Sequence, residues 1–256
     1  MKIHLSEVSS TNTWVLQQLS AKQPLQDCTV VWTDSQTAGR GQVGNVWEST
    51  PGLNLTFSML LKPAFLAPRN QFVISEIAAL SVLKAVQAEM PDKKVSVKWP
   101  NDIYVGDEKI CGMLIENQLQ GMSFSHSVIG IGLNVNQEKW VGNAPNPTSI
   151  KLQCGKELPI EQLLDNIVAH ILSDYESLCI SPESAQKRIH DLFVQNLYRG
   201  EGYFPYVDAK TEEAFQARIE DIEPSGCLHL KDENGTLRTY GFKEVKFVLP
   251  CGVTKE

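Results

Sequence analysis

Near Gly200 the hydrophobic periodicity of the chain changes, and with it the kind of fold each side can adopt. Residues 159–179 and 182–197 carry helical apolar spacing, whereas beyond Gly200 only short β-rich runs remain. These are Ala214 to Ile222, Cys227 to Lys231, Thr236 to Tyr240 and Val245 to Leu249, with the tight-turn pair Asn234-Gly235 between two of them. The shift predicts a mixed α/β domain over 1–198 and a small all-β module over 199–256.

The first part reads as a strand over Ile3 to Val8, then a helix carrying Trp14, Val15 and Leu19 behind the cap candidates Ser9 to Asn12. Thr29 to Thr33 is β-rich, and Asn54 to Met59 alternates strictly, which predicts a half-buried strand. Phe72, Val73, Ile77, Leu80, Leu83 and Val86 place a core helix over 70–90, ended by Met90-Pro91. Val95 to Trp99 alternates, Ile103 to Val105 and Lys109 to Glu116 flank Gly106-Asp107 as a hairpin, and Ser127 to Val135 supplies another strand. Gly142 to Pro147 is a surface loop by its Pro and Asn content.

Composition narrows the function classes. A formal charge of −7 argues against holding DNA or RNA by broad phosphate neutralisation, so an anionic ligand needs a local basic cluster. The start MKIHLSEVSS lacks a signal-peptide core, and no apolar run reaches the ~20 residues of a membrane span. A cytoplasmic protein is expected. The six cysteines, at 28, 111, 154, 179, 227 and 251, form no C-x-x-C pair and are read as reduced thiols without chemistry.

Four segments could carry chemistry. The connection over 34–53 is long for a compact domain and holds Gly39-Arg40-Gly41-Gln42-Val43-Gly44. This matches the dinucleotide G-x-G-x-x-G, but a strand-like segment follows where a helix should, and 59–64 lacks the ribose-binding acid. Glycines that let backbone N–H groups wrap an anion, with Arg40 as a fork for carboxylate or phosphate, fit better; a solvated turn is the bland alternative. Lys98-Trp99-Pro100-Asn101-Asp102 packs a cation, an aromatic wall and two oxygen-bearing side chains at a strand exit, or is simply an Asx turn. Lys109 stands at the mouth of the apolar strand Ile110 to Glu116, where an edge-protecting lysine is also reasonable. Gly130 and Gly132 weaken a strand unless something flat approaches its backbone or a bulge is formed there.

In order, Ser10-Thr11-Asn12, Gln36-Thr37-Ala38-Gly39-Arg40-Gly41, Trp47-Glu48-Ser49, Lys98-Trp99-Pro100-Asn101-Asp102, Lys109-x-x-Gly112 and Gly130-x-Gly132-x-Asn134 resemble the biotin–protein ligases. The resemblance implies an α+β fold like that of class II aminoacyl-tRNA synthetases, a mixed sheet with helices packed on it, followed by a small SH3-like β-barrel. It implies the short class, starting at the catalytic domain without a DNA-binding module. The implied reaction is attack of the biotin carboxylate on the α-phosphate of Mg-ATP, then transfer of biotin from biotinyl-5′-AMP to a lysine of a biotin carboxyl carrier protein or biotin-dependent carboxylase. A homodimer through sheet edges is also found in the family.

By position, the resemblance assigns Ser10, Thr11, Asn12, Gln36, Gly39, Arg40, Gly41, Lys109 and Gly112 to biotin, with Lys109 and Arg40 as the catalytic cations. Arg40, Trp47, Asn101, Asp102, Lys109 and Asn134 fall to ATP or the adenylate, and Asp102 is the candidate Mg²⁺ ligand. Lys98 is a third cation available to grip anions. The chain departs from the family at Gln42 and Val43, where basic residues are common. In the all-β module, Arg199, Arg218, Arg238 and Lys243 either approach the ligands or serve as surface charge. The rival readings are a lipoate or octanoate ligase or transferase of the same fold, and a non-catalytic binder of biotin or its adenylate.

Overall fold

The computed structural model describes residues 1–23, 25–42, 45–121, 123–142 and 146–249. Val43, Gly44, residues 143–145 of the Pro/Asn loop and Cys251 lie outside the described residues.

A seven-stranded sheet has the order β1-β2-β3-β7-β6-β5-β4. Its strands are β1 (Lys2–Val8), β2 (Thr29–Gln36), β3 (Leu55–Leu61), β4 (Val95–Lys98), β5 (Asp102–Val105), β6 (Glu108–Gln120) and β7 (Ser123–Leu133). Among the strand pairs described in this sheet, β1 and β2 run parallel and the others antiparallel, which makes the sheet mixed as expected. The helices α1 (Thr11–Ser20), α2 (Phe72–Glu89), α3 (Ile150–Cys154), α4 (Ile160–Ile180) and α5 (Pro182–Gln195) pack around it.

The helix α2 is apolar almost all round, and between Phe72 and Val86 only Ser75 and Lys84 are not buried. With Pro68–Asn70 ahead of it, this segment is long and apolar enough to cross a membrane, but most of it is buried against the sheet, α4 and α5. A helix without a polar face needs such cover on every side.

The strand β3 is not half-buried; all seven of its residues are buried. It lies between β2 and β7, with α4 over one face and α1 over the other. Its alternation therefore sorts two interiors rather than core from solvent. Leu55, Phe57, Met59 and Leu61 join the large cluster around α2, while Leu60 joins Val15 and Val31 under α1. Thr56 and Ser58 share the α1 side, and Ser58 is fully buried.

A second, antiparallel sheet holds β8 (Phe204–Asp208), β9 (Ala214–Ile222), β10 (Leu228–Asp232), β11 (Leu237–Tyr240) and β12 (Val245–Phe247), in the order β11-β10-β9-β8-β12. The strand β8 has no clear sequence signal because Pro205 interrupts the run. The short α3 is likewise too brief to show a period, although Ser149 caps it by accepting from Leu152 N, and Gly155 ends it at φ 71°. Residues 196–198 pair with Val97 before the chain turns, at Arg199 with φ 59°, into the second sheet.

The two sheets meet through α2, α5 and the β4–β5 turn. Trp99 Nε1 donates to Gly226 O at 3.0 Å, and Phe242 packs edge-on against Trp99 at 5.5 Å between ring centres. His190 on α5 contacts buried Glu76 at 2.8 Å and Asp221 of β9 at 3.6 Å, and the Glu76 hydrogen bond raises the imidazole pKa.

Candidate functional site

The helix α1 begins where β1 ends, and its first residues are held by their own side chains. Ser10 is the N-cap, accepting weakly from Thr13 N at 3.5 Å. Gln36, the last residue of β2, accepts from Thr11 N at 2.9 Å through Oε1. Thr11 and Asn12 are buried, and both reach Ser58 of β3: Ser58 Oγ lies 2.7 Å from Thr11 Oγ1 and 2.5 Å from Asn12 Oδ1. Asn12 Nδ2 donates to Leu114 O at 3.1 Å and to Glu116 Oε2 at 2.8 Å on β6. The result is a neutral polar floor built from α1, β2 and β3 and anchored to the Glu116 carboxylate of β6.

Over this floor lies the connection between β2 and β3. Trp47 N donates to Gly39 O, Gly41 N to Asn45 O, and Arg40 pairs with Val46, so the glycine segment folds back on itself. A side chain at Gly39 would meet Trp47 O at 2.4 Å. Glu48 accepts from two successive backbone N–H groups, Val141 at 2.8 Å and Gly142 at 2.7 Å, and so ties the loop to the segment after β7.

Gly112 and Gly132 face each other across β6 and β7, and both pairings of β7 run in unbroken register there. They are therefore not bulges. A Cβ on Gly132 would fall 2.3 Å from the Trp47 indole, and one on Gly112 would fall 3.0 Å from it. A Cβ on Gly130 would fall 2.4 Å from Asn12 Oδ1. The glycines thus admit close approach, and here the flat group lying on Gly132 is the protein's own tryptophan. The buried Trp47 Nε1 has no hydrogen-bond partner among the described residues.

The cations stand at the other end. Arg40 Nη2 is 2.6 Å from Glu116 Oε2, and Lys109 Nζ is 2.7 Å from Asp102 Oδ1 and 5.9 Å from the Trp47 ring centre. Both pairs are partly open to solvent, where an ion pair contributes about 0–1 kcal/mol, so an incoming anion can compete for either cation. Asn101 Nδ2 donates to Met113 O and fixes the turn that presents Asp102.

The structure gathers Ser10, Thr11, Asn12, Gln36, Arg40, Gly41, Trp47, Asn101, Asp102, Lys109 and Gly112 around one cavity of about 120 Å³. Gly39 stays in the loop backbone beside it. Asn134 is not in the lining: it is buried, and its amide donates to Thr148 O at 2.9 Å. Lys98 is likewise outside the lining. Its ammonium sits 4.7 Å from the Phe247 ring centre and 5.5 Å from that of Tyr104, and burial lowers its pKa. Of the basic residues in the second sheet, Arg218 pairs with Glu220, Arg238 with Glu213, and Arg199 donates to Val248 O.

Ser58 and Glu116 belong to the site but are not marked by any motif reasoning. The alternation in β3 was the available signal for Ser58, since a serine on the face turned toward α1 must find a buried partner. A second cavity, of about 510 Å³, shares Gln42, Asn101, Met113 and Leu114 with the first and extends to Phe72, Ser225, Phe242 and Lys243. It lies in the cleft between the two sheets.

Residues 5–134 match the model of the biotin/lipoate A/B protein ligase family. The bifunctional ligase/repressor BirA of Bacillus spizizenii is 32% identical over 136 residues, covering 53% of this chain and 41% of that protein. The biotin–protein ligase of Homo sapiens is 36% identical over 138 residues, covering 52% of this chain and 19% of that one. The chain thus matches less than half the length of these relatives. A biotin protein ligase from Aquifex aeolicus in complex with biotin and ATP superposes over 97% of this chain and 99% of its own with a TM-score of 0.77, at 22% identity, a likeness of fold that extends through the second sheet. The matched segment takes in the α1 cap, the glycine loop and both cation-bearing turns, and the chain belongs to the biotin/lipoate A/B protein ligase family.

Proposed function

We propose that this chain is a biotin–protein ligase, which activates biotin with Mg-ATP to biotinyl-5′-AMP and transfers the biotinyl group to a lysine of a biotin carboxyl carrier protein or biotin-dependent carboxylase. The observation that carries the reading is the division of one cavity into an uncharged hydrogen-bonding floor, Ser10, Thr11 and Gln36, and a cationic mouth, Arg40 and Lys109. Biotin has the same division, a neutral cyclic urea at one end and a carboxylate at the other. Lipoate and octanoate bring only sulfur or alkyl groups to such a floor, which would strand its donors and acceptors.

In the first step the biotin carboxylate attacks the α-phosphorus and pyrophosphate leaves. Two anions must be brought together, and Arg40 and Lys109 lower that cost by holding them in line and absorbing charge at phosphorus. Among the described residues no cluster of three or more His, Cys, Asp or Glu side chains could hold a metal, so Asp102, which pairs with Lys109, is the one carboxylate that would hold Mg²⁺ beside phosphate oxygens, where the ion would offset charge on the nucleotide. Trp47, resting on Gly132, is placed to cover the adenylate, and Gly39 and Gly41 let the loop wrap it. Asn134 supports the adenine end of the site from behind the strand. In the second step the lysine amine attacks the acyl carbon and AMP leaves. The cleft beside Met113 and Phe242 is the route for that lysine, because its lining is mostly neutral and favours the uncharged amine. We divide the chain into a catalytic domain, 1–198, and a barrel, 199–256, and place the protein in the cytoplasm.

The test is incubation with biotin, Mg-ATP and an apo carrier domain, scored by the carrier's mass. The wild type transfers biotin, and Lys109→Ala lowers the rate about 10²- to 10³-fold, the loss usual for a preorganised charge at a reacting phosphoryl or acyl group. No transfer by the wild type overturns the reading.

A further inference from the structure

The pocket floor contains a chain of hydrogen bonds whose direction can be worked out from donor and acceptor capacity alone. Glu116 Oε2 and Leu114 O are acceptors, so the Asn12 group facing both must be its NH₂, at 2.8 and 3.1 Å. Asn12 Oδ1 is then turned to Ser58 and can only accept, so Ser58 spends its single proton there, at 2.5 Å. Ser58 Oγ also lies 2.7 Å from Thr11 Oγ1, and with its own proton spent it accepts the Thr11 proton. Gln36 Oε1 also faces this hydroxyl and has a second lone pair, but it lies at 3.2 Å, and the 2.7 Å contact with Ser58 would set two oxygens together without a proton if the Thr11 proton went to Gln36. Every member from Thr11 to Asn12 is buried, so water does not scramble the order.

The outward face of Thr11 is therefore left with lone pairs only. Its neighbours have the opposite polarity: Gln36 presents its Nε2 donors, because Oε1 is held by Thr11 N, and Ser10 keeps its proton, because its oxygen accepts from Thr13 N. We propose that Glu116, Asn12 and Ser58 act as positioning residues that fix this polarity, so that the floor selects a ligand head with an N–H at Thr11 and a carbonyl at Ser10 and Gln36. A cyclic urea has this pattern. The inference rests on the biotin reading above and adds what enforces it: a carboxylate at the rim, bound to Arg40 on one side, orients a hydroxyl at the floor through two intermediate side chains.

The same geometry explains the need for glycine at 130, since any Cβ there would displace Asn12 Oδ1 and break the chain at its centre. It also makes Asn12 a lining residue whose amide hydrogens and oxygen are engaged within the protein.

The experiment compares binding of biotin with that of the two cyclic carbamate analogues in which one ring N–H is replaced by oxygen, by titration calorimetry on the full chain. The wild type binds biotin about 10²-fold more tightly than the analogue that sets oxygen against Thr11, because two acceptors then face each other without a proton. In Ser58→Ala the Thr11 hydroxyl keeps only the longer contact to Gln36 Oε1 at 3.2 Å, so its proton can turn outward to a ligand acceptor, and the ratio falls below about 10-fold even if affinity for both ligands drops. Glu116→Gln, at the partly exposed end of the chain, lowers the ratio in the same direction by a smaller factor and leaves the buried members in place. A ratio unchanged in both variants, or a wild type that binds both ligands equally, overturns the proposal while leaving the ligase reading intact. A wild type that binds no biotin overturns that reading itself.

Discussion

The two ends of the cavity are built on opposite principles. The floor is uncharged, buried and assembled from regular elements: the cap of α1, the end of β2 and the centre of β3. The mouth is charged and partly solvated, with Arg40 on the loop and Asp102, Lys109 and Glu116 on β5 and β6, and each cation is already paired to a carboxylate. A buried hydroxyl chain can enforce a donor and acceptor pattern because an unmatched ligand leaves a polar group unpaired out of water. Exposed ion pairs cannot discriminate so finely, but they exchange partners cheaply, which suits the proposed passage of ATP, adenylate and AMP through one site. Selectivity belongs to the buried floor, and turnover to the solvated mouth.

The largest effect that could break this division comes from the floor. Gln36→Leu removes the Nε2 donors and leaves Thr11 N without its acceptor, and biotin affinity should fall about 10²- to 10³-fold. The loss should be the same at low and high salt, because no charge is involved. Titrations at two ionic strengths check this; a loss that shrinks markedly in salt would mean that the floor works through the cations.

Gly132→Ala tests the joint between the ends. The new methyl would lie 2.3 Å from the Trp47 ring, and the loop yields more readily than a central strand. Trp47 should leave the floor, which can be followed by its fluorescence, while the melting temperature changes by less than about 4 °C. Adenylate formation should drop about 10-fold, the scale of a lost aromatic contact. Unchanged emission together with unchanged rate would show that Trp47 does not use Gly132 as its platform.

Sequence patterning reached the floor and the mouth unequally. Ser10 and Thr11 are legible because a helix cap has its own residue chemistry, whereas Gln36 lies beyond the β-rich run Thr29 to Thr33 and is reached only through the family resemblance. Arg40 and Lys109 stand out as cations amid glycine or apolar neighbours. What was not legible follows from long-range packing. The pairing of Ser58 with Asn12 spans 46 positions, and that of Arg40 with Glu116 spans 76. Asn134 is reached only through the family resemblance, and one residue beyond the end of β7 its side-chain amide donates to Thr148 O. Lys98 looks like an anion clamp until β12 brings Phe247 over it, a contact between two sheets that no local pattern encodes.

The smallest effect belongs to the mouth and to the residue that sets this chain apart. Gln42 lines both the ligand cavity and the cleft between the sheets, at the point where the two join. An arginine there would add a third cation near the adenylate phosphate without touching the floor. Gln42→Arg should slow dissociation of biotinyl-5′-AMP by about 3- to 10-fold at low salt, with most of the gain lost near 0.5 M salt, as expected of a solvated pair. The same cation would face an approaching lysine, so transfer to the carrier should slow rather than quicken, and any gain in retention would be set against delivery. Stopped-flow release of the adenylate and single-turnover transfer measure the two separately. Equal off-rates for the wild type and the Gln42→Arg variant would mean that loop charge does not govern retention here, leaving that task to Arg40, Lys109 and the cover of Trp47.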